Sequence, residues 1–574
     1  MDNQENAEPE NKTKSENVQE SNELQNENYV LINEDEENDS PVSSVSNEFI
    51  KNESCNSQNN QFIYDVIIIG AGLSGLYSAY YLTKKCNDLR ILVIEGKDRL
   101  GGRTQSADLK CSEDGQKSKW DLGGQWVTDT QTHITKLLVE LDLETYPQHI
   151  EGKKILETNG KMVNYNSSIP SVSILSLIDL QMGSMKISSN AKKISTIDPF
   201  ENLNLASRLD SGNLDEFLLS KSFSSKSRSL LDPAIRTIFG VEASQINALF
   251  GLMYIKSGGG SLESLALSDK GCAQEKKVKG GTQQISERLA QIIKNNEKNK
   301  ILLNTVLIEI KQDKEKICVM AKNLSGPISF ECKKVISSIP INQYVHIDFD
   351  PELPIYKRHV FQFCQMGNLI KFIVTYSKPF WREKGFSGEV VSDGSVLWSK
   401  EWSNIEGVEI PKSGPIACVF DGTNDQGQAA LVGFIGAKMA VEWTDQKDEL
   451  RKQEVIEALV RYFGQEARNY LEYVEKIWAK EKFAGGCPTC NLSSSGVMQN
   501  YARAVREPFM NIHFCGTESA TVWQGYMDGA IQSGERAANE VLYVLFKDDR
   551  SIDYDYENTF YFHNEMNRKN SISK

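Results

Sequence analysis

A glycine-rich turn between a buried strand and a helix constrains this chain more than any other feature. The segment FIYDVIIIG (62–70) is a short β-branched apolar run, which is typical of a strand buried on both faces. Residues 73–85 continue with helical spacing, and RILVIE (90–95) is a second buried strand. Strand, helix and strand in this order predict one βαβ unit with a right-handed crossover.

The turn GAGLSG has the spacing of a dinucleotide fingerprint. Gly70 permits the tight turn, Gly72 lets a pyrophosphate approach the backbone, and Gly75 lets the helix pack on the strand. Ser74 lies within the turn, at a helix N-terminus that favours phosphate. Glu95 ends the second strand, where a carboxylate accepts hydrogen bonds from ribose hydroxyls. These residues predict a dinucleotide site but do not distinguish FAD from NAD.

Charge and cysteine usage exclude several classes of protein. Of the net charge of −14, −12 falls on residues 1–60, so the remainder is nearly neutral and has no footprint for nucleic acid. The eleven Cys show no framework spacing, which indicates reduced thiols in an intracellular protein. The acidic start is not a secretory signal, and no run of about 18 apolar residues predicts a membrane span. We therefore expect a cytoplasmic protein without nucleic-acid partners.

The glycine pairs that follow the fingerprint resemble those of the flavin-containing amine oxidase family. They lie in EGKDRLGGRT (95–104) and WDLGGQWV (120–127). The likeness continues at VKGGTQQISERLA (278–290), NLIKFIVTYSKPFWR (368–382), WAKEKFAGGC (478–487) and FCGTESATVWQGYMDGAIQSGERAANEVL (514–542). Within that family the sequence is most similar to monoamine oxidases. One departure is Lys97, which stands where an Arg is more usual.

The resemblance implies an α/β protein with two interleaved parts. A Rossmann-like FAD-binding domain, built on the GxGxxG βαβ unit, is expected from residues 62–145, 262–341 and 480–545. A mixed α+β substrate domain is expected from 146–261 and 342–479. Residues 1–61 are expected to be a disordered acidic tail, because they carry few apolar residues. Residues 546–574 form a polar C-terminal tail whose aromatic cluster either docks on the body or hangs free.

The motifs and the resemblance together assign a set of cofactor-binding residues. Arg103 is expected to fork onto phosphate oxygens, and the glycine pairs let backbone lie against the cofactor. The full set is Gly70, Gly72, Ser74, Gly75, Glu95, Lys97, Gly102, Arg103, Gly123, Gly124, Lys279, Trp478, Cys487, Gly516, Thr517, Glu518, Tyr526 and Met527. The six His show no ligand spacing, so no metal is predicted.

Two residues are assigned to catalysis by the resemblance. Lys371 interrupts the apolar strand LIKFIVTY, and in the family a Lys here holds a water at the flavin N5 atom. The alternative is an edge residue whose amine reaches solvent. Tyr526 precedes a helix and is expected to form one wall of an aromatic sandwich that steers an amine toward the flavin. The alternative is a core Tyr with a satisfied hydroxyl.

Cys487 and Cys490 form a CPTC sequence with three interpretations. A thioredoxin-like pair would need its own βαβ context, and a zinc site would need a second pair. The resemblance places Cys487 where monoamine oxidases attach the flavin covalently, so we expect FAD bound through this thiol. Two positions depart from the family: Pro488 replaces the second sandwich aromatic, and Ser257 replaces a Gln of the substrate site. These departures leave the substrate range open.

The expected activity is FAD-dependent oxidative deamination of a primary or secondary amine. The products are an aldehyde, ammonia or an amine, and hydrogen peroxide, with dioxygen as electron acceptor. A polyamine or L-amino-acid oxidase of the same family is the alternative within enzymes. An inactive flavoprotein that serves as a binding module is the alternative outside them. The oligomeric state stays open, with a homodimer as one option.

Overall fold

The glycine-rich turn joins the first strand and first helix of a largely parallel sheet. The computed structural model describes residues 63–166, 174–220, 231–314, 316–394, 414–549 and 551–565. The acidic segment 1–61 lies outside them, so its expected disorder stays a prediction. The strands of this sheet, in spatial order, are β10 (Lys300–Leu302), β2 (Ile91–Ile94), β1 (Ile63–Ile69), β13 (Gly326–Ser337), β12 (Ile317–Asn323), β11 (Val306–Gln312) and β14 (Asp348–Asp350), with β22 (Ile512–Phe514) also paired to β13.

The carboxyl ends of three parallel strands define where a ligand binds on this sheet. β1 lies between β2 and β13 and runs parallel to both. β2 is fully buried, as its continuous apolar run predicts. Gly70 follows β1 and Glu95 follows β2, so both residues lie at the same edge. This is the edge at which open α/β sheets bind nucleotides.

A second sheet supplies the other wall of the molecule. It is antiparallel except where β17 meets β7. In spatial order its strands are β20 (Glu472–Ile477), β16 (Leu369–Tyr376), β19 (Ala429–Gly436), β18 (Cys418–Asp421), β17 (Phe386–Ser392), β7 (Lys153–Thr158) and β8 (Lys161–Tyr165). The smaller sheets are β3 (Ser106–Lys110) with β4 (Lys117–Asp121), β15 (Cys364–Met366) with β21 (Cys490–Leu492), and β5 (Trp126–Val127), β9 (Lys276–Val278) and β6 (Thr145–Pro147).

Helices pack on both large sheets. The described helices are α1 (Leu73–Lys85), α2 (Thr132–Glu140), α3 (Ile174–Ala191), α4 (Leu203–Asp210), α5 (Leu214–Leu219), α6 (Asp232–Phe239), α7 (Ala248–Ser257), α8 (Leu262–Ala266), α9 (Gln283–Lys294), α10 (Ile355–Phe363), α11 (Phe380–Glu383), α12 (Lys438–Thr444), α13 (Asp448–Phe463), α14 (Met498–Arg506) and α15 (Met527–Phe546). Among them α1 packs against α9 and α15, so helices from distant parts of the sequence cover the nucleotide sheet.

The interleaved α/β fold expected from the sequence is confirmed. Strands from the beginning, middle and end of the chain share the first sheet, and intervening segments form the second. β14 belongs to the first sheet although residues 348–350 lie in the range expected for the substrate domain. The nucleotide sheet therefore continues past residue 341, because β14 pairs in parallel with β11 after the intervening loop. The other expected domain boundaries stay predictions.

A close contact between α1 and α15 fixes the last part of the chain against the fingerprint. A Cβ on Gly534 would lie 2.5 Å from the Ser74 carbonyl oxygen, so only glycine allows this approach. Ser74 Oγ accepts a hydrogen bond from the Gly516 amide at 3.0 Å and lies 3.1 Å from Ser533 Oγ. Ser74 thereby joins the glycine-rich turn to the segment that begins α15.

The C-terminal aromatic cluster docks on the body. Tyr543 of α15 lies 4.9 to 5.9 Å, between ring centroids, from three aromatic rings of the last described segment. The Phe560 amide donates to Glu540 Oε1 at 3.2 Å, and Lys85 pairs with Asp553 at 2.8 Å. Residues 551–565, called here the C-terminal strap, therefore pack along α15. The rings that surround Tyr543 are those of Tyr554, Tyr556 and Tyr561.

Candidate active site

Two glycines of the fingerprint, Gly70 and Gly72, form the floor of a large cavity, whereas Gly75 lies behind them and does not line it. Gly70 has φ +97°, and a Cβ there would lie 2.5 Å from Ser338 Oγ. A Cβ on Gly75 would lie 2.1 Å from the Gly70 carbonyl oxygen, so this glycine lets α1 pack close to β1. Gly72 is the N-cap of α1 and makes no side-chain cap, which leaves the helix N-terminus open to the cavity. This floor suits a pyrophosphate.

Glu95 closes the same edge of the sheet. It is buried, and its carboxylate accepts hydrogen bonds from the Ala71 amide at 2.7 Å and the Lys97 amide at 3.0 Å. The carboxylate therefore holds the glycine-rich turn against the turn after β2. Because Glu95 also lines the cavity, it is placed to accept hydrogen bonds from ribose hydroxyls.

Arg103 forks onto a protein carboxylate. Its guanidinium donates to both oxygens of Glu518, at 2.5 and 3.0 Å, and to the Pro488 carbonyl at 2.9 Å. Burial raises the pKa of Glu518, but the Arg103 charge outweighs it and holds this pKa below its ordinary value. The two parallel hydrogen bonds that we expected Arg103 to donate to phosphate oxygens are donated to the Glu518 carboxylate instead. Arg103 lines the cavity, whereas Glu518 lies behind it as a positioning residue.

Lys279, like Gly75 and Glu518 of the predicted cofactor set, does not line the cavity. Lys279 is exposed and pairs with Glu144 at 2.5 Å, away from the cavity. The reason is that β9 ends at Val278, so Lys279 lies in the following turn and its side chain does not share the buried face of Lys277. Lys277 is buried, and its ammonium donates to the carbonyl oxygens of Thr423 and Asp421. Burial lowers the pKa of Lys277 to about 8. The prediction for Lys279 is therefore wrong.

The remaining predicted cofactor residues line the cavity and come from four separate segments. Trp478 is buried and donates its indole N–H to the Leu122 carbonyl at 3.1 Å. Thr517 donates its hydroxyl to the Tyr526 carbonyl at 2.8 Å, which fixes the entry to α15. The cavity wall includes Lys97, Gly102, Gly123, Gly124, Trp478, Cys487, Gly516, Thr517, Tyr526 and Met527.

Lys371 lies in the wall of the cavity with its amine buried. It belongs to β16, all of whose residues are buried, so the alternative of an amine that reaches solvent is excluded. Nζ donates to the Gly123 carbonyl at 2.9 Å and to Gln125 Oε1 at 2.7 Å. Burial lowers the pKa of Lys371 to about 7, opposed by the nearby charge of Asp121. The amine is therefore close to half protonated at neutral pH.

Tyr526 and three further aromatic residues line the cavity, and two of these rings lie close to Lys371. Tyr526 is the N-cap residue of α15 and donates its hydroxyl to the Leu265 carbonyl at 3.3 Å. Its ring centroid lies 6.2 Å from that of Tyr254. Lys371 Nζ lies 5.8 Å from the Trp126 ring and 5.5 Å from the Phe434 ring. Both indole and phenyl rings line the cavity, which gives this end an aromatic surface.

Cys487 also lines the cavity, next to Pro488. Burial raises the pKa of the Cys487 thiol to about 12, although Arg103 and Lys371 act in the opposite direction. Cys490 is buried outside the cavity, 3.5 Å from Asn342 Oδ1. No group of three or more His, Cys, Asp or Glu that could hold a metal lies among the described residues.

Several cavity residues have no place in the sequence prediction. Gln125 lines the cavity and accepts a hydrogen bond from the Lys371 amine. In the sequence it follows a glycine pair and nothing marks it as a site residue. Trp126 follows it directly, so an aromatic residue after a glycine pair was the available signal. Tyr254 and Phe434 lie in apolar runs that do not differ from core segments. Ser257 is buried but does not line the cavity, since it donates to the Tyr254 carbonyl at 2.7 Å.

The fold and this cavity define a class of protein: an oxidoreductase that binds a dinucleotide at a Rossmann turn and a substrate beside a buried lysine. The model of the family described as flavin containing amine oxidoreductase matches residues 73–542. The chain belongs to this family, and it oxidises amines with FAD. The observed cradle fits that cofactor, because the glycine floor, Glu95 and the aromatic end lie in one continuous cavity.

The chain is similar to curated proteins over most of its length. It is 32% identical to the probable flavin-containing monoamine oxidase A of Dictyostelium discoideum, over 83% of this chain and 97% of that protein. It is also 32% identical to the flavin-containing amine oxidase B of Homo sapiens, over 84% of this chain and 87% of that protein. The recognition of this family from the sequence is confirmed.

Two solved structures show the same fold. Wild-type putrescine oxidase bound to putrescine has a TM-score of 0.73 at 28% identity, over 84% of this chain and 99% of that chain. Cyclohexylamine oxidase from Brevibacterium oxydans has a TM-score of 0.74 at 26% identity, over 84% and 100%. No described helix of this chain is long and apolar enough to cross a membrane. The cytoplasmic location stays a prediction.

Proposed function

We propose that this chain is an oxidase of apolar primary or secondary monoamines, with dioxygen as electron acceptor and FAD attached through Cys487. The observation that carries the proposal is the wall around Lys371. Lys371 is the one charged residue that the second sheet contributes to the described lining, and the lining residues from β5, α6, α7, α8, β19 and the start of α15 carry no charge. The uncharged lining residues of this wall include Gln125, Trp126, Thr237, Ile238, Tyr254, Leu265, Ala273, Gln274, Leu369, Phe434 and Tyr526.

This wall favours a monoamine over the two alternative substrates. A diamine would bring a second ammonium group, which needs a carboxylate when it leaves water. An amino acid would bring a carboxylate, which needs a cation in addition to Lys371. The other charged lining residues are Glu95, Lys97 and Arg103. Glu95 and Lys97 lie on the turn after β2 at the dinucleotide edge, and Arg103 is paired with Glu518. A hydrophobic amine is therefore the substrate whose transfer from water into this end of the cavity costs the least free energy.

The overall reaction proposed converts the amine, dioxygen and water into an aldehyde, ammonia or a smaller amine, and hydrogen peroxide. When bound, FAD supplies the two-electron acceptor for the α-carbon and passes the electrons to dioxygen. Tyr526, Trp126 and Phe434 orient the substrate and exclude water from its α-carbon. The Gly123 carbonyl and Gln125 hold Lys371 Nζ at a fixed position, where it donates or accepts a proton.

Anaerobic mixing with amines tests the proposal. Benzylamine is expected to bleach the yellow colour of the holoenzyme, and air is expected to restore the colour with one peroxide per aldehyde. A flavoprotein that stays yellow with benzylamine and with every monoamine tried would contradict the oxidase and favour a binding module.

Acid precipitation tests the attachment separately. The yellow colour is expected to remain in the pellet, and in a Cys487→Ala variant to move into the supernatant. The Cys490→Ala variant is the matched control, since Cys490 lies outside the cavity, and its colour is expected to stay in the pellet. Colour in the supernatant of the unmodified protein would remove Cys487 as the attachment point.

A further inference from the structure

One carboxylate, Glu481, is shared by three cations at the edge of the cavity. Its Oε1 atom accepts hydrogen bonds from Lys97 Nζ and from Arg99 Nη2, each at 2.6 Å. Its Oε2 atom pairs with Lys476. The Glu481 side chain is only 10% exposed, and these three cations lower its pKa to about 2 against the effect of burial. Glu481 is therefore ionised at neutral pH, whereas burial lowers the pKa of its partner Lys97.

The cluster joins two stretches of chain that are far apart in the sequence, with Lys97 and Glu481 separated by 384 positions. Lys97 and Arg99 lie on the turn after β2, which also carries Glu95. Lys476 lies at the end of β20 in the second sheet. Glu481 lies on the segment 481–487, which ends at Cys487. We call this segment the cover segment, because it lies between the nucleotide edge and the Lys371 end of the cavity.

The cover segment places an aromatic ring against the nucleotide turn. A Cβ on Gly96 would lie 3.0 Å from the Phe483 ring, so the ring lies directly on the backbone of this glycine. Phe483 lines the cavity, is 40% exposed, and has φ +60°, a left-handed conformation that is costly for a bulky residue. The adjacent Ala484 carbonyl accepts a hydrogen bond from Asn342 Nδ2 at 3.0 Å. These contacts hold an exposed ring in a strained position at the cavity wall.

The charge of this cluster and its position at the nucleotide edge indicate that the cover segment contacts FAD. Three cations and one carboxylate leave two positive charges beside the edge where the glycine floor receives a pyrophosphate. We propose that Glu481 is a positioning residue that fastens the cover segment, so that Phe483 closes over the adenosine half of FAD and Cys487 is held for attachment. The inference depends on FAD binding but not on amine oxidation.

The test uses the Cys487→Ala chain, in which a covalent bond cannot hide weak binding. In this background, Glu481→Gln removes the charge with little change of shape. We expect the dissociation constant of FAD, measured by fluorescence, to rise about tenfold or more, because Lys97, Arg99 and Lys476 no longer fasten the cover segment and Phe483 is no longer held in place, which outweighs the added positive charge. Asp108→Asn is the matched control, since it breaks the exposed Lys119–Asp108 pair on β3 and β4 and should leave FAD affinity unchanged.

Two further measurements distinguish positioning from loss of the fold. Glu481→Gln in the chain that retains Cys487 is expected to reduce the fraction of flavin that stays in an acid pellet. Phe483→Ala leaves the charges intact and is expected to weaken FAD binding in the Cys487→Ala chain. If Glu481→Gln is too unstable to purify, the Phe483→Ala measurement decides.

FAD affinity within twofold of the parent, in a Glu481→Gln chain with an unchanged melting midpoint, would overturn the inference. So would an unchanged Phe483→Ala affinity. Neither measurement requires an amine substrate, so failure of the oxidase proposal would be seen separately.

Discussion

Lys371 carries an amine that is charged in water but is fully buried here. Lys371 belongs to a strand with no exposed residue, and two oxygen atoms accept hydrogen bonds from its amine. Aromatic rings on two sides lower the polarity around it further. An amine in such a place is poised between its charged and neutral forms.

Lys371→Met is expected to keep FAD and to lose turnover by about tenfold or more, because a fixed proton donor and acceptor is removed from the reacting atoms. Turnover per flavin is measured by peroxide production. Lys357→Met is the matched control: Lys357 is also fully buried, but it donates to the Ala504 and Glu507 carbonyls away from the cavity. It should lower stability and leave turnover per flavin unchanged. Equal turnover in the two variants would contradict the role of Lys371.

The charge of Lys371 also predicts a pH effect on the flavin spectrum. Burial lowers its pKa to about 7, so the amine is charged below pH 7 and neutral above it. A cation in the cavity wall perturbs the absorption of a nearby chromophore. We expect the flavin spectrum to change with a midpoint near pH 7 in the wild-type protein and to stay constant in Lys371→Met. A midpoint that survives in the variant would assign the effect to another group.

Some cavity residues could be identified from the sequence, because their position in a glycine-rich turn or along a strand distinguishes them. Gly70, Glu95 and Lys371 stand in patterns in which only one residue type fits or in which a charge interrupts an apolar run. Lys279 could not be placed, because side-chain direction just after a three-residue strand depends on where its partner strands end it. Gln125 could not be identified, because its contact to Lys371 crosses 246 residues.

At the scale of elements, α15 connects the cavity with the C-terminal strap. Its N-terminal end carries Tyr526 and Met527 in the cavity wall, and its C-terminal end carries Tyr543 among the rings of the strap. The composition of the tail did not decide whether it docks. Docking of the tail depends on long-range contacts such as the pair between Lys85 and Asp553, which a local sequence pattern does not show.

Removal of the strap is expected to destabilise the protein. Aromatic pairs contribute about 0.5–1.5 kcal/mol each beyond area burial, and the strap contributes three to Tyr543. Deletion of residues 551–574 should therefore lower the melting midpoint by several degrees. Deletion of 566–574 alone is the control and should leave the midpoint nearly unchanged. Equal midpoints for both deletions would show that the strap adds no stability.

At the scale of the whole molecule, the cavity is lined by both large sheets. The first sheet supplies the nucleotide edge, and the second supplies Lys371 and Phe434 from neighbouring strands. The interleaving of sheets could be expected from the family resemblance, whereas the composition of the aromatic end required the structure. The uncharged wall around Lys371 is a property of this assembly and not of any single motif.

The uncharged wall predicts selectivity for monoamines. We expect kcat/KM for benzylamine to exceed that for putrescine by about a hundredfold, because the second ammonium of putrescine would be buried without a partner. Steady-state peroxide assays at one pH measure the ratio, and hexylamine controls for chain flexibility. A preference for putrescine over hexylamine would place an unrecognised carboxylate near the substrate.

The contact between Ser74 and Gly534 has a consequence for synthesis in the cell. Ser74 also binds the Gly516 amide, 442 positions later in the chain. While the ribosome is still making the middle of the chain, the glycine-rich turn therefore lacks its contacts to Gly516 and α15, and the part of the nucleotide cradle from residues 516–527 is missing. Capture of the vitamin-derived coenzyme must wait until translation is nearly finished, so chains interrupted earlier emerge colourless.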